Sequence, residues 1–168
     1  MLFVTLAASA RAEGDGAGRY LERDEYLGSA FPGGVPAART LWIGGELRES
    51  MEDVLGHAYG ALRVRYWYDG STSVWVLDEI GKEMPITIGV RISRDAIDNV
   101  RILEFRESRG WEVRYPFFTD QFDGVTLDAA RKLDRKIDGI TGATLSVRAV
   151  ERIARVALIL HEQVSNSS

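Results

Sequence analysis

Hydrophobic and polar residues alternate along several segments of the chain, as they do in strands that bury one face. The clearest case is residues 86–92, where aliphatic side chains occupy every second position. A polar stretch at 93–99 separates it from an apolar run at 100–105, and together these segments predict a hairpin at the centre of an antiparallel sheet. The same patterns predict further strands at residues 41–43, 62–68 and 74–77.

Apolar residues at helical spacing predict the helices. The longest begins near residues 144–146 and runs to about residue 164, with one apolar face that includes Val150 and His161. Residues 46–59 predict a second helix, 24–30 a short one and 127–133 a short helical turn. The combination predicts an α+β fold, with helices packed against a twisted, mainly antiparallel sheet.

The first residues are typical of an exported protein. An apolar run at residues 2–8 is followed by Ala10-Arg11-Ala12, a cleavage-site pattern, and is too short to span a bilayer. We therefore expect residues 1–12 to be a signal-peptide remnant and the protein to be periplasmic or otherwise extracytoplasmic, although a plain apolar terminus is the alternative. The remaining boundaries are predicted as a lead-in at 13–40, one folded domain at 41–164 and a tail at 165–168.

Composition excludes several functional classes. The net charge is −4, without the basic excess of a nucleic-acid-binding domain. The absence of Cys excludes disulfides and thiolate metal sites. The two histidines, His57 and His161, are far apart and each falls in a predicted helix, which argues against a zinc site and against a Ser-His-Asp triad. We predict no metal site and no catalytic side chain.

Residues 138–146 have the features of a tight turn that enters a helix. Gly142 permits backbone conformations that a side chain would block, and Ala143 leaves room for a bulky group. Thr144 and Ser146 are expected at or near the N-cap, where free backbone amides and the helix dipole favour a phosphate. The alternative from the residues alone is a helix cap with no further role.

The same residues, Asp-Gly-Ile-Thr-Gly-Ala-Thr-Leu-Ser, resemble the D-x-x-[ST]-G-A-T-x-[ST] flavinylation motif of the FMN-binding domain family. That family includes flavoprotein subunits of the Rnf and sodium-pumping quinone reductase complexes. Its second motif threonine carries FMN through a phosphoester bond, and Thr144 matches that position. Residues 81–90, 100–108 and 121–124 are also similar to family segments, so that the resemblance covers about residues 74–160.

The resemblance implies FMN bound covalently to Thr144 within residues 41–164. The cofactor-binding residues that it implies are Thr144 with Asp138, Thr141, Gly142, Ala143, Leu145 and Ser146 from the motif, Glu107, Gly110, Trp111 and Glu112 from a loop at 107–114, and Lys82. Trp111 is a candidate to stack on the isoalloxazine ring, and covering the sheet edge is its alternative. Lys82 is a candidate to face the flavin carbonyls or phosphate, and a solvated turn lysine is the alternative.

One departure from the family pattern concerns that loop. The Rnf and quinone reductase subunits carry a glutamate-threonine-proline-glycine sequence, whereas residues 107–114 here contain no proline. The chain therefore resembles a stand-alone exported member more than a pump subunit.

The resemblance implies electron transfer between a membrane-linked donor and an acceptor, with membrane-associated redox proteins as partners. The flavin supplies the redox chemistry, so whether the protein is itself an enzyme stays open. Maturation is implied to need an FMN transferase that uses FAD and Mg²⁺. Two other functions stay open, an exported binding or interaction module without flavin and a flavin-dependent reductase of a small substrate.

Overall fold

The alternating segments form a single antiparallel sheet in the computed structural model, which describes residues 16–167. The strands are β1 (Gly18–Arg19), β2 (Arg39–Trp42), β3 (Arg63–Tyr68), β4 (Thr72–Ile80), β5 (Pro85–Ser93) and β6 (Ala96–Phe105). Their order across the sheet is β1-β6-β5-β4-β3-β2, and every neighbouring pair is antiparallel. The predicted α+β fold is confirmed, while the predicted signal-peptide remnant lies outside the described residues.

Helices cover both faces of this sheet. They are α1 (Arg23–Ala30), α2 (Gly45–Leu55), α3 (Pro116–Thr119) and α4 (Thr144–Ser165), and short 3₁₀ turns lie at Trp111–Arg114 and Asp120–Phe122. The predicted long C-terminal helix is confirmed as α4. Within residues 16–167, no helix has the length and apolar character needed to cross a membrane.

The main core lies between α4 and the centre of the sheet. Ile86, Ile88, Val90 and Ile92 of β5 are fully buried in the same apolar cluster as the inner face of α4. On the opposite face, α1 buries Tyr26 against Gly89, where an added Cβ would lie 2.4 Å from the tyrosine ring. Because both faces are covered, the sheet holds the loops at its ends in fixed positions.

Three local predictions were wrong. The stretch 93–99 is mostly strand, because Arg94 and Asp95 both have positive φ and form a two-residue turn that joins β5 to β6. Helix α2 ends at Leu55, because Gly56 adopts the left-handed conformation that commonly ends helices, and His57 therefore lies outside it.

Residues 127–133 are the third case. Leu127 and Leu133 pair as an antiparallel bridge, and the Asp128 carboxylate accepts the backbone N–H groups of Ala130 and Lys132. Such local side-chain hydrogen bonds compete with helix formation.

Candidate functional site

A groove lies at one end of the sheet, where three segments meet. Ile86 at the start of β5 pairs with Phe105 at the end of β6, so the β4–β5 turn and the loop after β6 are neighbours. The first turn of α4 forms the third wall. The groove has a volume of about 610 Å³, within the usual range for small-molecule sites. It is lined by Lys82, Glu107, Ser108, Arg109 and residues 142–146.

Glu107 fixes the first two walls relative to each other. Its side chain is buried, and Oε1 accepts the backbone N–H groups of Lys82, Glu83 and Met84 at 2.5, 2.6 and 2.9 Å. Burial by itself raises the pKa of Glu107, but the three donors outweigh burial and hold the pKa below its ordinary value. Glu107 is therefore an ionised clamp that positions the Lys82 turn, a role that the sequence did not predict.

Gly81 makes this clamp possible. A Cβ at this position would lie 3.0 Å from Oε1 of Glu107 and 3.1 Å from the Ile86 side chain. Glycine therefore lets the turn approach the carboxylate closely, which explains the Gly-Lys pair in physical terms.

Thr144 is the first residue of α4, and its side chain is exposed to the groove. The N-cap is Ala143, and no side chain caps the helix, so the predicted capping by the Thr144 and Ser146 hydroxyls is wrong. Among the described residues, the Thr144 hydroxyl has no hydrogen-bond partner. The first amides of α4 also lack a side-chain acceptor, which leaves them open to an anionic ligand.

Gly110 closes the loop onto this helix. It has φ of +89°, and a Cβ there would lie 2.4 Å from the Ser146 Oγ. The loop therefore packs directly on the first turn of α4, and only glycine suits both the conformation and the close approach.

Residues 81–159 match the FMN-binding domain family. These residues therefore form a domain of that family. No curated protein and no solved structure matches it at a significant level. The matched segment contains every residue that lines the groove. Membership supports FMN as the cofactor.

The groove of this FMN-binding domain suits such a ligand. Its volume accommodates a drug-sized molecule, and the open amides of α4 meet the requirements of a phosphate. Lys82 and Arg109 are exposed on the rim and add positive charge on the facing wall. Ser108 and Arg109 were not among the predicted contacts, because only the path of the loop backbone decides which of its residues face the groove.

Five predicted site residues lie outside the groove walls, and Gly110, which packs on Ser146, is one of them. Trp111 is partly buried in a 3₁₀ turn and packs against the main core. Its stacking on flavin stays a prediction. Glu112 follows it, and its Oε2 is buried without a hydrogen-bond partner among residues 16–167. Thr141 and Asp138 are exposed on the approach to α4.

Gln121 holds that approach in place. Its side-chain oxygen accepts the Asp138 backbone N–H at 2.7 Å, and its side-chain nitrogen lies 3.5 Å from the Asp138 carbonyl oxygen. This contact gives a structural reason for the Gln-Phe-x-Gly segment at residues 121–124. Gln121 thus positions the motif without lining the groove.

A separate hydrogen-bond chain links the sheet to α4. Ser73 Oγ accepts from Trp75 Nε1 at 2.8 Å and lies 2.7 Å from His161 Nδ1, while His161 Nε2 lies 3.2 Å from Asp95. The Asp95 carboxylate only accepts, so the proton of neutral His161 sits on Nε2, and Nδ1 then accepts from the Ser73 hydroxyl. Ser73 and His161 are buried, so their contact belongs to the core, while Asp95 at the end of this hydrogen-bond chain is exposed.

Proposed function

We propose that this protein is an extracytoplasmic flavoprotein that carries FMN covalently on Thr144. Its role is electron transfer between a membrane-linked donor and an acceptor. The observation that carries the proposal is the exposed Thr144 hydroxyl, free of hydrogen bonds to described residues, which faces a groove of about 610 Å³ inside the segment that matches the family.

Attachment is a phosphoryl-group transfer to Thr144. A bond forms between Thr144 Oγ1 and the FMN phosphorus of FAD, the pyrophosphate bond of FAD breaks, AMP leaves and the hydroxyl proton is released. As the family resemblance implies, the reaction uses an FMN transferase with Mg²⁺. Exposure at the start of α4 leaves the hydroxyl accessible to such an enzyme.

The protein's own residues then hold the phosphate and shape the site. The amides of α4 would hold the phosphate, and Lys82 and Arg109 would add positive charge from the facing wall. Glu107 keeps the Lys82 turn in place through its three backbone contacts. The bound isoalloxazine supplies the electron-transfer chemistry, and the protein supplies attachment and orientation.

The extracytoplasmic location is supported by the signal-like pattern of residues 1–12. A covalent tether also suits a compartment in which dissociated FMN would be lost by dilution. Partner proteins at a membrane surface follow from that location.

Intact-mass measurement after co-expression with an FMN transferase tests attachment. We expect a mass increase of one FMN less one water. The increase should be lost in Thr144→Ala and retained in Thr144→Ser, which keeps a hydroxyl. It should also be retained in Thr40→Ala, the matched control at an exposed threonine outside the motif and outside the matched segment. An unmodified wild-type chain, or FMN retained by Thr144→Ala, would refute the proposal.

Protein isolated from its native host distinguishes the other functions. An acid-stable flavin signal is expected from the carrier, whereas its absence would favour an interaction module. Turnover of a small soluble acceptor without any partner protein would instead favour a reductase.

A further inference from the structure

A second groove lies beside α4, between that helix and the segment 132–137, with a volume of about 330 Å³. We call it the basic groove, because its walls carry six cationic side chains and a single carboxylate, Glu151. The six are Lys132, Arg135, Lys136, Arg148, Arg152 and Arg155. This concentration of positive charge stands out in a chain whose net charge is −4.

Intramolecular contacts compensate only part of this charge. Arg152 lies 3.4 Å from the buried Glu79, and Arg135 lies 3.8 Å from Asp134. Lys132, Lys136 and Arg148 are exposed, and none of them forms a salt bridge in the part of the chain that the structure describes. Three cations of the basic groove are therefore available to an external anion.

The basic groove begins next to the candidate FMN site. Thr144, Arg148, Arg152 and Arg155 follow helical spacing along one side of α4. Four residues of helix correspond to a rise of about 6 Å from Thr144 to Arg148, and the cations then continue for about 10 Å to Arg155. A partner bound along this row would lie within one helical turn of the flavin attachment point.

We propose that the basic groove docks an acidic segment of the redox partner protein. The proposal rests on the proposed function for the partner's role, while the binding itself does not require flavin. Cations spread along a row suit an extended acidic segment better than a single phosphate, which requires converging donors. Val54 and Ile137 lie at the base of the groove but are buried in the core, whereas Leu133 is partly exposed and offers a contact for an aliphatic residue of the segment.

A membrane surface fits these features less well. A bilayer is flat on this scale and does not enter a groove with two walls, and the acidic remainder of the protein is repelled by anionic lipid. Complementary charge instead accelerates encounter with an acidic protein and fixes its orientation.

Binding of a blocked Glu-Glu-Leu-Glu-Glu-Leu-Glu-Glu peptide to the flavin-free full chain tests the proposal at low ionic strength. NMR shift changes are expected at residues 132–137 and 148–155, with an affinity that falls as salt rises. The double variant Lys132→Glu/Lys136→Glu should lower the affinity about tenfold. The matched control is Arg63→Glu/Arg65→Glu on β3, where both arginines are exposed, and it should bind as the wild type does.

Several outcomes would overturn the proposal. They are an equal loss of peptide affinity in the two double variants, unchanged peptide affinity in Lys132→Glu/Lys136→Glu, and tighter binding of the protein to inorganic pyrophosphate or to phosphatidylserine vesicles than to the peptide. Circular dichroism of each variant verifies folding, and a single Lys136→Glu variant replaces the double variant if that one does not fold. Because the flavin-free chain is used, a failure here leaves the Thr144 result unaffected, and the reverse also holds.

Discussion

The Glu107 clamp leads to a quantitative prediction about stability. In Glu107→Gln an oxygen acceptor remains near the β4–β5 turn, but the negative charge is lost. Hydrogen bonds to a charged acceptor contribute about 1.5–3 kcal/mol each and neutral ones about 0.5–1.5. With three such bonds on Oε1, partly replaceable by water at the turn, we expect a loss of about 1–3 kcal/mol in the free energy of unfolding.

The assay is urea denaturation at neutral pH, supported by thermal unfolding. For a chain of this size, the expected loss corresponds to a fall in Tm of about 3–10 °C. Glu83→Gln is the matched control, because the Glu83 side chain is 73% exposed and its one salt bridge to a described residue is with the exposed Lys82, at 3.5 Å. It should change the stability by less than about 0.5 kcal/mol.

The pH dependence of this prediction follows from the lowered pKa of Glu107. A carboxylate whose pKa is lower in the folded state stabilises the fold above its unfolded pKa of about 4.5, and that contribution is lost as pH falls through the folded value. The difference between wild type and Glu107→Gln should therefore shrink in acid. A difference below about 0.5 kcal/mol at neutral pH, or one that stays constant into acid, would refute the clamp.

Three further predictions concern close packing and the buried histidine. Gly142→Ala should lower the free energy of unfolding by about 1–2 kcal/mol, because its positive φ alone disfavours alanine. Gly110→Ala should lower it by about 1–3 kcal/mol more, because the new Cβ would also collide with Ser146. Equal losses for the two variants in urea denaturation would contradict the close approach of Gly110 to Ser146. Gly89→Ala should cost about 1–3 kcal/mol by forcing α1 off the sheet, and a neutral result by thermal unfolding would exclude that packing. Burial lowers the pKa of His161, and the nearby Asp95 opposes this shift only in part. The free energy of unfolding of the wild type should therefore decline as pH falls below about 6.5, and it should decline less in His161→Asn. Identical pH profiles of the two proteins in urea denaturation would contradict this account.

The local pattern was sufficient to predict the elements that form the core. The alternation at residues 86–92 marks β5 because a strand buries every second side chain, and the apolar spacing after Thr144 marks α4 because a helix buries one face. At residues 138–146 the residues alone predicted a helix cap with an anion site, and the resemblance to the flavinylation motif singled out Thr144.

Tertiary structure alone decided how the groove is built. Glu107 was predicted as a flavin contact, but its role depends on which backbone amides come within reach, and these belong to a turn more than 20 residues earlier in the chain. Trp111 and Arg109 lie two residues apart in one loop, yet one packs on the core and the other faces the groove. Periodicity does not operate in an irregular loop, so nothing local distinguishes the two side chains.

The start of α4 also separates what the sequence predicts from what the tertiary structure decides. The sequence by itself determined that a helix begins at Thr144 and that glycine precedes it. Only the packing of Gly110 against Ser146 decided that this helix end forms a groove wall, because close approach of distant segments depends on the sheet pairing that aligns them. Within the same helical turn, Ser146 is buried against Gly110 whereas Thr144 stays exposed to the groove, and the order of residues does not distinguish the two.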